Sequence, residues 1–185
     1  MARTESTMVE LGTPAVPFSL PDPRTGHEVQ LVSQAGAKAT VIMFICNHCP
    51  FVQLIQEGLV RVANEFRGRG VSFIAINSND VKNYPQDAPD KMVEVAEALD
   101  YPFPYLFDAT QAVARAYRAT CTPDLFVYDA ELKLAYRGQF DDARPGNGRQ
   151  VTGDSLRNAL SDLVAGRPVQ GEQIPSIGCN IKWIA

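Results

Sequence analysis

The chain has 185 residues, 45% apolar and 21% charged, which suits one soluble domain with a sizeable core and is short for two. Its formal charge is −4, with no Lys/Arg cluster, so nucleic acid and membrane surfaces are not expected partners. The opening MARTESTMVELG lacks the apolar core of a signal peptide, and no apolar run reaches the ~18 residues of a membrane span. A cytoplasmic location is therefore expected, where thiols are kept reduced.

The opening segment GTPAVPFSLPDPRTGHEVQL has a turn signal at Asp22 to Gly26 and alternation on either side, which predicts a short β-hairpin. KATVIMFI, ending before Cys46, is continuous enough in apolar and β-branched residues for a strand buried on both faces. From Phe51 to Phe66 the apolar residues recur at spacings of three and four, a helix closed by Gly68 and Gly70. Val71 to Asn77 reads as a second buried strand, followed by the polar loop SNDVKNYPQDAPD. A helix is expected from Pro89, then a short strand at FPYLFD and a short helix at ATQAVARAYR. TCTPDLFVYDAELKLAYRGQF predicts an antiparallel hairpin turning at Asp129 to Lys133. A last helix over TGDSLRNALSDLVAG has Asp154 as its expected N-cap and Gly166 at its end. The tail has no clear period, and Trp183 is expected to anchor it in the core. Together these elements predict an α/β fold, a mixed sheet flanked by helices, in a single domain over 1–185 with 167–185 as a C-terminal extension.

The chemistry concentrates at Cys46-Asn47-His48-Cys49-Pro50. In a reducing compartment a Cys-x-x-Cys pair reads as redox or metal chemistry rather than a structural staple. A helix starting at or near Cys46 would present unpaired N–H groups and a partial positive charge, lowering a thiol from near 8.5 to roughly 3.5–7.5. That predicts Cys46 as the attacking thiolate and Cys49 as the resolving thiol, with Asn47 and His48 tuning them. A protonated His48 would favour the thiolate and shift the pair toward stronger oxidant. Pro50 suits a first helical turn, where its missing N–H breaks no bond. A structural zinc needs four ligands, and Cys46, His48 and Cys49 do not readily face one ion at a helix start, so no metal is expected.

The segments GTPAVPFSLPD, CNHCP and TPDLFVYD, with the order of elements, resemble the redoxin branch of the thioredoxin superfamily, the AhpC/TSA (peroxiredoxin-like) group, over about residues 8 to 166. The resemblance implies a thioredoxin-like fold. It also implies a cis Thr122-Pro123 bond facing the two cysteines, in a loop that shapes a groove where a substrate main chain pairs. It implies a thiol–disulfide oxidoreductase with no cofactor, acting on protein or small-molecule disulfides and recycled by a dithiol or disulfide partner. Some features depart from the family. Aligned on Cys49, Ile42 and Cys46 stand where peroxiredoxins keep Pro and Thr, Pro123 stands at their Arg position, and Thr40 replaces the buried acid of thioredoxin. A thiol peroxidase with an antioxidant role and a non-catalytic binding module are the alternatives.

Cys121 and Cys179 are each either buried packing residues or auxiliary thiols, Cys179 as a partner of Cys121 or as an extra resolving thiol. The loop after Phe140 should return to the active-site end, making Asp141, Asp142 and Arg144 candidates beside solvated-loop roles. Asn77, Asn79 and Asp80 are weaker candidates at the end of their strand.

Overall fold

The computed structural model describes residues 3–185. The chain runs β1 (Arg3–Glu5), β2 (Ser19–Asp22), β3 (His27–Gln30), α1 (Leu31–Gln34), β4 (Ala39–Phe44), α2 (Pro50–Phe66) and β5 (Val71–Asn77). It continues through α3 (Pro89–Ala98), β6 (Tyr105–Phe107), α4 (Ala112–Tyr117), β7 (Cys121–Thr122), β8 (Asp124–Asp129), β9 (Leu134–Arg137), α5 (Asp154–Val164) and β10 (Ile177–Asn180). Strands β6, β5, β4, β8 and β9 form, in that order, a mixed sheet. β4 sits at its centre, parallel to β5 and antiparallel to β8.

Every residue of β4 is buried, as its continuous apolar run demands. The period of two divides its side chains between two layers. Val41, Met43 and Ile45 pack with Val52, Ile55, Leu59 and Val62 of α2 and with Leu156 and Leu160 of α5. Ile42 and Phe44 join Phe18, Leu20 and Tyr117 on the opposite face, under the β2–β3 hairpin and α4. The site lies where β4 runs into α2. Among the described residues, no helix is long and apolar enough to cross a membrane.

Three local expectations are corrected. The helix after the Cys-x-x-Cys starts at Pro50, with Cys49 as its N-cap, not at Cys46. The amides of Asn47 and His48 instead donate to the carboxylate of Asp87, at 2.8 and 3.2 Å, and are held outside the helix. Asp154 is the first residue of α5, whose N-cap is Gly153 at φ +71°. A side chain there would collide with Phe140 and Val62, and the amides of Thr152 and Gly153 donate to Asp141. Trp183 is 37% exposed, lying under the Arg115 guanidinium at the surface.

The tail is held instead by buried Ile181 and by main-chain bonds. The Asp80 amide donates to Lys182 O, the Lys182 amide to Asn79 Oδ1 and the Ile184 amide to Gln111 Oε1. Within the tail, β10 pairs antiparallel with both β1 and β7.

Candidate active site

All four cysteines are free and buried. Cys46 follows β4 by two residues and retains 2% exposure; Cys49, capping α2, has none. Both belong to one buried cluster, three residues apart in the chain. The peptide bond Thr122-Pro123 is cis, as the resemblance implied. It stands directly against the pair, with Thr122 Oγ1 3.5 Å from Cys46 Sγ and the Thr122 carbonyl 3.1 Å from Cys49 Sγ, accepting from it when that thiol is protonated.

The two thiols do not titrate alike. The Cys46 thiol donating to it draws Cys49 down to about 5 against the opposing effect of burial, with lesser help from Thr122 and Cys179. The Val52 N–H at the start of α2 is turned toward the same sulfur without closing a full cap hydrogen bond. Cys46 is held well above the thiol range by that same contact with Cys49, by burial and by the negative charge of Asp87. The pair thus gives up one proton readily and retains the second, and the first belongs to both sulfurs. Displacing the helix start to Pro50 moves its electrostatic benefit from Cys46 to Cys49.

Asp87 is the functional residue that the sequence did not single out. It is fully buried in the polar loop after β5. Its Oδ1 accepts from the Asn47 and His48 amides, and its Oδ2 lies 2.5 Å from His48 Nδ1 and 2.8 Å from Asn79 Nδ2. Burial pushes its carboxyl up, but hydrogen bonds from His48, Asn79 and Asn47 outweigh this and hold it below the usual carboxylate range. The only signal in the sequence was an acid in a loop leaving a strand end on the active-site side. His48, fixed through Nδ1, stacks on Tyr84 with ring centroids 5.4 Å apart, and its Nδ1 lies 4.0 Å from Cys46 Sγ. His48 Nε2 is buried and has no partner among the described residues.

Cys46, His48 and Asp87 bring three metal-capable donor atoms within 4.8 Å of one another. A 2.5 Å separation between Nδ1 and Oδ2 is a hydrogen bond; a zinc ion bound by both would spread them to roughly 3 Å. The arrangement is a hydrogen-bonded His48–Asp87 pair beside a thiol.

Other candidates have defined places. Asn47 is a cross-link, its side chain donating to Gln86 O at 3.0 Å and accepting from the Tyr105 hydroxyl at 3.0 Å. Asn77 and Asn79 support Asp87, whereas Asp80 serves its own turn through the Lys82 amide and Asn83. The Asp141–Arg144 loop does return to this end, where Ala143 and Arg144 line a narrow crevice with Phe51, Ile55 and Pro123. Its polar groups are spent within the loop. Asp141 holds the start of α5, exposed Asp142 pairs with Arg149, and Arg144 donates to the carbonyls of Asp141 and Ala143 and to Gln139. Cys121 packs with its sulfur 3.6 Å from Pro123 O. In the β10–β7 register Cys179 lies opposite Thr122 and Asn180 opposite Cys121, so the two cysteines fall at alternate positions and point to opposite faces. That geometry argues against a Cys121–Cys179 pairing, one of the alternatives open from the sequence. It also shows that the main chain beside Pro123, expected to be free for a substrate strand, is occupied by the tail: β10 pairs with β7, and Ser176 Oγ donates to Pro123 O at 2.7 Å. A cleft of about 660 Å³ lies elsewhere, among Lys38, Asp129, Leu134 and Arg167, and contributes nothing to this site.

Residues 11–137 match the AhpC/TSA family. The chain belongs to the AhpC/TSA family. This AhpC/TSA protein is 56% identical to an uncharacterized conserved protein from Geobacillus kaustophilus, covering 100% of this chain and 97% of that one with a TM-score of 0.98. It is 48% identical to a hypothetical protein from Sinorhizobium meliloti 1021, covering 98% and 99%, with a TM-score of 0.96. At 17% identity it shares its fold with the thioredoxin domain of a thiol-disulfide oxidoreductase from Bacteroides vulgatus, covering 85% and 99%, with a TM-score of 0.66. Among curated proteins, none matches. The AhpC/TSA chain thus has a thioredoxin-like fold, with the central mixed sheet flanked by helices that its sequence predicted.

Proposed function

We propose that this protein is a thiol–disulfide oxidoreductase whose working pair is Cys46 and Cys49. The observation that carries this reading is that both sulfurs, Cys46 just before α2 and Cys49 capping it, meet the same residue of the cis Thr122-Pro123 turn, Cys46 at Thr122 Oγ1 and Cys49 at the Thr122 carbonyl. Cys46 is the attacking thiol because it alone of the two retains exposure. Its proton passes to the Cys49 thiolate as its sulfur attacks a substrate disulfide. One substrate sulfur leaves as a thiolate and the other is held in a mixed disulfide with Cys46. Cys49 then attacks the Cys46 sulfur, loses its proton to the departing second substrate sulfur, and closes the Cys46–Cys49 bond. Two electrons leave the protein and one disulfide becomes two thiols.

His48 is oriented by Asp87, leaving Nε2 available to a departing sulfur. Because the tail fills the main-chain edge beside Pro123, substrate reaches Cys46 over the His48 side. The substrate class is a protein or small-molecule disulfide, and a dithiol partner restores the reduced pair in the cytoplasmic setting that the sequence led us to expect.

A second reading, thiol peroxidase, is favoured by one observation: Cys49, not Cys46, caps the long helix and is the more acidic thiol. Equilibration in glutathione buffers of graded potential, followed by acid quench and mass mapping, tests the first reading. It predicts a reversible Cys46–Cys49 bond with a midpoint between about −270 and −120 mV. Failure to form that bond at any poise in this range would defeat it.

A further inference from the structure

The tail does more than cover the sheet edge. β10 lies antiparallel on β7 with Cys179 directly opposite Thr122, the residue whose carbonyl accepts from Cys49. The approach is so close that a β-carbon on Gly178 would fall 1.9 Å from Thr122 O and 3.1 Å from the Pro123 ring, so glycine is required there. Ser176, two residues earlier, is tied to Pro123 O. The strand is thereby seated in one register, and Cys179, opposite Thr122, points to the face on which Thr122 meets Cys46 and Cys49. Cys46, Cys49 and Cys179 belong to one buried cluster, while Cys121 points away.

We propose that Cys179 is an internal exchange partner of Cys49, presented by a strand of the chain's own tail in the place a substrate strand would take. The step rests on the dithiol reading above, which supplies the oxidising equivalents. Once a substrate has left the Cys46–Cys49 disulfide, the Cys179 sulfur attacks the Cys49 sulfur. The Cys49–Cys179 bond forms, the Cys46–Cys49 bond breaks, and the departing Cys46 sulfur takes up the proton that Cys179 loses. No electron enters or leaves. The product stores the oxidised state in a buried link between α2 and β10 and returns Cys46 as a thiol, so the protein can engage a second partner while still oxidised.

The exchange is slow at neutral pH. Burial pushes the Cys179 thiol above its ordinary range, so thiolate, and with it the rate, rises about tenfold per pH unit.

The test uses the full chain with diamide as oxidant, then acid quench, alkylation and tryptic mapping without reduction. Cys46 and Cys49 share one tryptic peptide, while Cys179 and Cys121 lie on two others, so the links are distinguishable. Oxidised Cys46→Ser is expected to yield the Cys49–Cys179 cross-linked pair. Oxidised wild type should yield both isomers, the Cys179 link appearing about tenfold faster at pH 8.5 than at pH 7.5. Cys179→Ala should lose the cross-link and keep Cys46–Cys49, with an unchanged far-ultraviolet circular dichroism spectrum as a check on folding. Cys46→Ser in which Cys179 stays fully alkylatable, beside wild type that forms Cys46–Cys49, would overturn the relay and leave the dithiol reading intact. Wild type forming no Cys46–Cys49 bond would remove the reading on which the relay rests, and the relay with it.

Discussion

Asp124→Ala is expected to lower the free energy of unfolding by about 3–5 kcal/mol, the cost of leaving a buried charge without its partner. Asp124 and Arg137 form an ion pair in which both side chains are wholly buried. The Arg137 guanidinium also donates to Leu125 O and Thr7 O, each at 3.1 Å, and lies 3.8 Å over the Phe126 ring. Its Nε has no partner among the described residues, so the site has little spare compensation. Burial raises the Asp124 carboxyl, and Arg137 offsets this only in part. The sign follows: the folded state binds this proton more tightly, so the linkage contribution of this group is present below the ordinary carboxylate pKa and lost as pH rises through the folded value, whereas the cost of Asp124→Ala at pH 7 is the separate one of stranding the Arg137 charge. Denaturant unfolding at pH 7 measures the loss. A double variant, Asp124→Leu with Arg137→Met, should recover much of it, because two apolar groups leave no stranded charge. A loss below about 1 kcal/mol for Asp124→Ala would contradict this account of the pair.

The second large effect is at Asp87. Asp87→Asn should cost about 2–3 kcal/mol at pH 7, since it removes the charge from hydrogen bonds to His48, Asn47 and Asn79. Here the folded carboxyl lies below its ordinary value, so its contribution is full above about pH 4 and is lost as pH falls through the folded pKa. The difference between wild type and variant should therefore be flat from pH 5 to 7 and shrink below about 4. The same charge raises the Cys46 thiol, so alkylation of Cys46 should move to lower pH in the variant. A stability difference independent of pH down to 2 would show that Asp87 acts only by shape.

Much of the fold was legible because burial writes itself into spacing. The continuous run of β4, the three-and-four period of α2 and the turn between β8 and β9 each allow one reading of the backbone. What failed was decided by distant partners. The start of α2 moved because Asp87, 40 residues beyond Asn47, captures the two amides that would have opened the helix. The N-cap of α5 is Gly153 rather than Asp154, and the amides of Thr152 and Gly153 just before the helix turn toward Asp141 of the preceding loop. β10 has no apolar period because its strand is set by hydrogen bonds to β1 and β7 and by a glycine pressed on Thr122. For the same reason the sequence located both cysteines and the cis proline but not the dyad beside them, nor the tail strand that fills the groove.

The order of attack is the central claim, and trapping the mixed disulfide tests it most directly. Cys49→Ser, reduced and then mixed with a small aromatic disulfide, should carry one adduct on Cys46, stable because no Cys49 thiol remains to release it. Cys46→Ser under the same conditions should be modified at least about tenfold more slowly, because Cys49 has no exposed surface for the disulfide to reach. Rapid modification of Cys49 in Cys46→Ser, with Cys46 inert in Cys49→Ser, would contradict the assignment and make Cys49 the attacking thiol.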